Sequence, residues 1–385
     1  MKTEIAIHGT VAPGFEATRD VFAENFAREG DYQEVGASFA VYHRGKCVVD
    51  LWGGFADGAR TKPWTRETLA NVWSSTKGIT ATAIAMLVDR GALSYDDAVA
   101  KHWPEFAQNG KGGITVAQLL SHQAGLPGFI EPTLLEDMYD WDACCAKLAA
   151  QAPAWKPGTA SSYHAITYGW LAGEIIRRVS GKMPGQFVAD EIASPLDADV
   201  FIGLPESEES RVAEMLAPKR AADIAAMNFS DAAIMALVNP QLDAGAPNAR
   251  GWRAAQIPSA NGQASALGLA RVYGALANGG TLDGVKLMSP ATIGQMTAPV
   301  SHDGRADMLL GFVDAWGKGV ILNRPKIYGT NPDAFGHSGW GGSFGCADPQ
   351  NGVAIGYVCN QMGPDLVGDP RTAGLCAAAM SGASA

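Results

Sequence analysis

Ser74 and Lys77 stand three residues apart in the stretch NVWSSTKGIT, residues 71–80. No other lysine in the chain has a serine or threonine three places before it. On a helix, positions i and i+3 share a face, with Cβ atoms about 5–6 Å apart. A serine in the first turn also meets unpaired backbone N–H groups and the positive end of the helix dipole. That end favours an alkoxide or an oxyanion. A lysine on an apolar helix loses solvation, which penalises its ammonium and lowers its pKa. A neutral amine can take a serine proton, whereas an ammonium cannot. The spacing therefore admits a nucleophile beside its base. It equally admits a helix cap followed by an ordinary lysine, since serine is a favoured N-cap and both residues are common.

A second serine competes. The stretch GGSFG, residues 341–345, fits the Gly-x-Ser-x-Gly nucleophile elbow and would make Ser343 the attacking residue. An elbow needs a strand before the serine and a helix after it, and its histidine follows the serine in the chain. After Ser343 comes FGCADPQNGVAIGYV, which reads as strand, turn and strand, and the last histidine is His337. Both requirements fail. The glycines here, Gly341 among them, are expected to let a strand edge lie close to a ligand.

These residues need elements to hold them. ASFAVYHRG and CVVDLWGG are β-branched and aromatic around a turn, which predicts a hairpin. STKGITATAIAMLVDRG has helical apolar spacing and ends on Gly91, as a C′ glycine would place it. Thr115 and Gln118 form a capping box for a short helix. Helical patterns then run to about residue 280, including YHAITYGWLAGEIIRRVSG and SALGLARVYGALANGG. Strands return as MLLGFVDAW, GWGGSFGCAD and GVAIGYVCNQ, and PRTAGLCAAAM closes the chain as a helix. Strands at both ends predict an α+β fold: one antiparallel sheet built from residues 1–80 and 280–385, flanked by helices, with a mainly helical domain of residues 81–279 inserted. The active site is expected between the two.

Composition narrows the function. The 385 residues are 47% hydrophobic and 18% charged, with a formal net charge of −10. That balance speaks against nucleic acid or an anionic membrane as partner. No apolar run approaches the length of a membrane span and the N-terminus lacks an apolar signal core. The six cysteines show no scaffold spacing, so free thiols and a cytoplasmic location are expected. The seven histidines include no metal-binding grouping, so no metal is expected. GWGGSFG fails the dinucleotide fingerprint because Phe344 takes the third glycine's place, and no lysine follows a glycine-rich phosphate loop. No cofactor is expected. His122 is expected to order its loop, and His164 to point away from the chemistry.

Three separated motifs resemble one family in order. They are SSTK, with Ser74 and Lys77; PGTASSYHA, with Tyr163; and GHSGWGG, with His337, Ser338 and Gly339. ITVAQLLSHQAGLPG and SALGLARVYGALANGG are also familial. The chain resembles the class C β-lactamase and penicillin-binding-protein-like superfamily, and within it the family VIII carboxylesterases. The resemblance runs from about residue 25 to the end. It implies a serine β-lactamase/transpeptidase-like fold, with Ser74 as acyl-accepting nucleophile. It further implies Lys77 and Tyr163 as a coupled base, the tyrosine partly phenolate. An ordinary tyrosine titrates near 10, so neighbouring cations would have to favour that anion. The oxyanion hole would use the Ser74 N–H and, by position after His-Ser-Gly, the Trp340 N–H.

Two departures bear on the substrate. True lactamases hold a carboxylate with the lysine of Lys-Thr-Gly, where this chain has His337, mostly neutral at pH 7. The asparagine that grips an amide side chain is here Ala165. Both changes leave small neutral esters as the favoured substrates. Trp73, Trp340 and Phe129 are expected to form an apolar pocket. A β-lactamase or D,D-peptidase and an acyltransferase using the same acyl-enzyme are the alternatives. A non-enzymatic binding relative would have no reason to keep all three catalytic residues.

Overall fold

The computed structural model describes residues 5–220, 230–300 and 304–384. Its centre is a seven-stranded antiparallel sheet drawn from both ends of the chain. The strands are β1 (Ile7–Val11), β2 (Gly36–His43), β3 (Lys46–Gly54), β4 (Ile321–Leu322), β5 (Phe335–Ser338), β6 (Phe344–Asp348) and β7 (Val353–Cys359). They lie in the order β1-β3-β2-β7-β6-β5-β4. The junction between the two halves is β2 on β7, with Phe39 opposite Tyr357. The β2–β3 hairpin turns on Arg44 and Gly45, both at positive φ (50° and 76°). Positive φ at both central residues matches the right-handed twist of the flanking strands.

Helices α1 (Ala17–Ala27), α2 (Ser75–Asp89), α5 (Ala266–Ala277) and α6 (Pro370–Ser384) pack against the sheet, and α3 (Tyr168–Ser180) and α4 (Asp231–Val238) are among the helices of the rest of the chain. Residues of β2 alternate between two cores. Phe39 and Val41 join α1 and α6 residues such as Phe22 and Leu375, whereas Ala40 and Tyr42 join α5 residues such as Val272 and Leu276. Side chains of a strand point alternately to its two faces. A strand covered on both faces therefore reads as a continuous apolar run.

Helix α2 runs beneath the sheet edge, packed on α3 and β5. Its residues Ser75–Leu87 are all buried. Its larger apolar side chains, Ile79, Ile84, Met86 and Leu87 among them, each contribute about 1.5–3 kcal/mol on burial. Burial on all sides is what carries Lys77 out of water.

Two expected strands differ. MLLGFVDAW is irregular, with only isolated bridges at Val313 and Trp316. Of GWGGSFGCAD, only Phe344–Asp348 is a strand, and residues 339–343 form a tight loop. Helix α5 lies on β2, β6 and β7, ahead of the boundary expected near residue 280. The capping box at Thr115 and Gln118 is present.

Candidate active site

Ser74 occupies the N-cap position of α2, yet its side chain caps nothing. A capping serine would accept from an N–H of the first turn. Here the hydroxyl faces Lys77 instead, with Nζ 3.0 Å from Oγ. The residue before it, Trp73, is held at φ 44°. That conformation is costly for a bulky side chain and persists only where packing enforces it. The Trp73 ring is wedged against Trp252 and Trp340, at centroid distances of 5.5 and 5.0 Å. The bend turns the chain from the short strand Ala70–Asn71 into α2 with Ser74 at its mouth.

Lys77 is fully buried and has three partners. Besides Ser74 Oγ they are the carbonyls of Ala165 at 2.7 Å and Ser259 at 2.9 Å. Burial holds its ammonium well below the ordinary 10.5. A neutral amine has two N–H bonds and one lone pair. The two carbonyls can only accept, so they take both N–H bonds. The lone pair is left for the hydroxyl proton of Ser74. Two carbonyls that no motif announces thus fix the orientation of the Lys77 amine.

Tyr163 lies on an extended segment ahead of α3, clamped from both sides. The Ser162 N–H donates to the His122 carbonyl at 3.2 Å and the His164 N–H to His122 Nδ1 at 3.1 Å. On the other side the Tyr163 N–H donates to the Asp307 carboxylate at 3.2 Å. Buried Asp307 also accepts from the N–H groups of Leu309 and Leu310, both at 3.0 Å, and from Trp316 Nε1 at 3.1 Å. Trp316 in turn stacks on the Tyr163 ring, 5.7 Å away and 6° from parallel. Asp307 and Trp316 were not foreseen, because neither belongs to a motif.

The Tyr163 ring lies beside Lys77, whose Nζ is 4.7 Å from its centroid. Its hydroxyl is turned toward Ser74, the one neighbour that favours its anion. The contact falls short of hydrogen-bond geometry, and the hydroxyl has no formed partner. Burial pushes the phenol up, and Asp307 adds to that. The expected partial phenolate is thereby corrected: burial favours the neutral phenol, and burial of Lys77 likewise disfavours the ammonium that would hold the anion.

The third motif shapes a loop. His337 is buried behind Tyr163 and Trp316, with Nδ1 donating to the Ser338 carbonyl at 2.9 Å. Burial brings its pKa down to about 3, so the ring is neutral. It does not line the cavity described below. Ser338 does not line it either, and its hydroxyl pairs with Tyr328 OH at 3.1 Å. Gly339 has no room for a side chain: a Cβ there would sit 2.2 Å from the Val72 carbonyl oxygen. Its N–H donates to the Ser343 carbonyl, and that of Gly341 to the Asp365 carbonyl. Between them, the Trp340 N–H has no acceptor among the described residues, and neither has the Ser74 N–H. The buried Arg371 holds this loop from below, donating to the Gly341 carbonyl at 2.7 Å while paired with Asp369 and Glu34.

Ser343 is a structural residue. Its hydroxyl donates to the Val72 carbonyl at 2.8 Å and is buried, fastening the loop to the start of α2. The strand β6 follows it, not a helix.

A cavity of about 340 Å³ opens over Ser74. Trp73, Tyr163 and Trp340 form its floor, and Leu237 of α4, Leu309 and Phe312 are among its walls. MLLGFVDAW is thus apolar because it lines a cavity rather than a sheet. Phe129 is a correction. It does not line the cavity but packs in the core against Trp170 at 5.6 Å. Its backbone N–H reaches the Asn239 carbonyl at 3.3 Å, one residue from the cavity wall at Pro240.

The β-lactamase family profile matches residues 21–378. The chain belongs to the β-lactamase family. A curated relative, the esterase/beta-lactamase LipL of Mycobacterium tuberculosis, is 37% identical over 379 residues, covering 94% of this chain and 84% of the relative. A solved family VIII carboxylesterase superposes with a TM-score of 0.91 at 50% identity, over 97% of this chain and 99% of the other. A penicillin-binding protein homolog from Caulobacter crescentus superposes at 0.90 with 47% identity, over 98% and 100% of the two chains. The 50% identity over nearly the whole of both chains places this chain with the family VIII carboxylesterases. No helix among the described residues is long and apolar enough to cross a membrane.

Proposed function

We propose that this serine ester hydrolase cleaves small acyl esters that carry no anionic group, through an acyl-enzyme on Ser74. The observation that carries the proposal is the set of three partners around Lys77, of which the two carbonyl acceptors leave its lone pair for the Ser74 hydroxyl. Lys77 takes the hydroxyl proton as Oγ forms a bond to the ester carbonyl carbon. The carbonyl oxygen becomes an oxyanion between the Ser74 and Trp340 N–H groups. Such donors act strongly because they are fixed in a water-poor site. The tetrahedral intermediate expels the alcohol, whose oxygen receives a proton by way of the Tyr163 hydroxyl, refilled from Lys77. Water then attacks the acyl-enzyme by the same route in reverse, releasing the acid.

The cavity lining supports the substrate class. Its aromatic and aliphatic walls suit an apolar acyl or alcohol group. Neither a lysine nor an arginine lines it among the described residues, and neutral His337 lies outside it. A β-lactam or peptide carboxylate therefore lacks a counter-charge. The partner is a small-molecule ester. All six cysteines are free thiols, which supports the cytoplasm as its compartment.

Steady-state kinetics on p-nitrophenyl butyrate and a chromogenic cephalosporin test the reading. It requires kcat/KM for the ester to exceed that for the cephalosporin by about two orders of magnitude or more, the usual reach of a lost charge-paired contact. Equal values, or a preference for the cephalosporin, would replace it with the β-lactamase reading. Alcoholysis products formed in preference to acid, with an added alcohol, would replace it with acyl transfer.

A further inference from the structure

Resting on the ester-hydrolase reading, we infer that Asp365 makes the cavity choose its esters by charge, favouring cationic over neutral and neutral over anionic ones. Asp365 belongs to the lining segment Pro364–Val367, and Ala236 and Leu237 of α4 line the same cavity. It is the one residue with a charged side chain among the described cavity lining. Its position is fixed twice. The backbone carbonyl accepts from the Gly341 N–H at 3.0 Å, next to the free Trp340 N–H. The carboxylate accepts from the Tyr32 hydroxyl at 2.6 Å.

Nearby charges do not cancel it. Arg371 and Asp369 lie beneath the same wall, but they are buried and paired with each other at 2.7 Å. Glu34, the other partner of Arg371, is pushed up to about 8 by burial, so it is largely neutral at pH 7. Lys219 is taken by the Gly30 carbonyl and Gln33, and Arg220 by Asp31. Neither lines the cavity. Tyr32 itself is raised to about 12, first by its bond to Asp365 and then by burial, with Asp365, Asp369 and Asp31 adding their charges. Asp365 is thus the one acidic group among the described lining of the cavity, over an apolar floor. The faces of Trp73 and Trp340 in that floor would further suit a substituted ammonium group.

A cavity of 340 Å³ is about 9 Å across, so a substrate charge would lie roughly 8 Å from the carboxylate. At an effective permittivity of about 20–40, one unit charge at that range changes the rate about 6–30-fold.

The test uses an isosteric pair, acetylthiocholine and 3,3-dimethylbutyl thioacetate, with the wild-type enzyme and Asp365→Asn. Asparagine keeps an acceptor for Tyr32 and the backbone bond to Gly341. The wild type is expected to favour the cationic ester in kcat/KM by about 6–30-fold. In Asp365→Asn that ratio should fall close to one. Cephalosporin turnover should rise by a similar factor in the variant. A ratio unchanged by the substitution overturns the inference and leaves the hydrolase reading standing. Failure of the wild type to cleave either thioester through Ser74 overturns the hydrolase reading itself.

Discussion

Replacing Lys77 with methionine separates the base from the helix that carries it. Methionine fills a similar volume and is a good helix former, so α2 keeps its packing. In the wild-type protein burial holds the Lys77 ammonium well below 10.5. The unfolded chain keeps that proton up to the ordinary value, while the folded chain has already released it. Between the two values the unfolded state carries one proton more. Wild-type stability therefore rises with pH by about 1.4 kcal/mol per unit in that window. The contribution is complete above the unfolded value and is lost as pH falls through the folded one. The methionine variant has no such slope. It carries a pH-independent cost instead, because the Ala165 and Ser259 carbonyls lose a donor. Each costs about 1–3 kcal/mol if it stays buried and unpaired. Urea unfolding of both proteins from about pH 7 to about 9.5 isolates the difference, since all other groups titrate alike in the two. The wild type should gain on the variant with a slope approaching about 1.4 kcal/mol per pH unit. Activity should fall about 10²–10⁴-fold in the same variant. Parallel stability curves would mean that folded Lys77 keeps its proton, and a protonated lysine cannot serve as the base.

Tyr163→Phe should lower kcat by about 10²–10⁴-fold while leaving urea stability unchanged or raised, because the lost hydroxyl is buried without a formed partner. A stability loss above about 2 kcal/mol would show that the hydroxyl is structural. Asp307→Ala strips the acceptor from three backbone N–H groups and the Trp316 indole, and should destabilise the protein by about 2–4 kcal/mol with a fall in kcat larger than the change in KM. A normal kcat in folded Asp307→Ala would separate the Tyr163 clamp from catalysis. Glu34, raised to about 8 by burial, binds its proton more tightly in the folded state, so its share of stability is complete below its ordinary value of 4.5 and is lost as pH rises through 8. Glu34→Gln should flatten the stability profile between those values in calorimetry; an unchanged profile would place the titration elsewhere.

The placement of Ser74 beside Lys77 was legible in the sequence because their spacing is local. Ser74 and Lys77 lie one helical turn apart, and the helix between them is fixed by its own apolar pattern. The β2–β3 hairpin and the capping box at Thr115 and Gln118 were legible for the same reason. What escaped depends on contacts distant in the chain. Asp307 reaches Tyr163 across 144 positions, and the Ser259 carbonyl reaches Lys77 across 182. Neither leaves a pattern along the sequence. MLLGFVDAW misled because apolar residues that line a cavity satisfy the same count as those that fill a strand. Phe129 misled because an aromatic after a Gly-Leu-Pro-Gly loop can face either the cavity or the core, and Trp170 holds it in the core. The phenolate expectation fails because burial raises the Tyr163 phenol and disfavours the Lys77 ammonium, and neither burial can be read from the spacing of the motifs.

The assignment of the nucleophile is tested most directly by peptide mapping after reaction with a fluorophosphonate. The account predicts one adduct, on the peptide containing Ser74, formed equally well in Ser343→Ala and absent in Ser74→Ala. An adduct on Ser343, or one that survives Ser74→Ala, would contradict it.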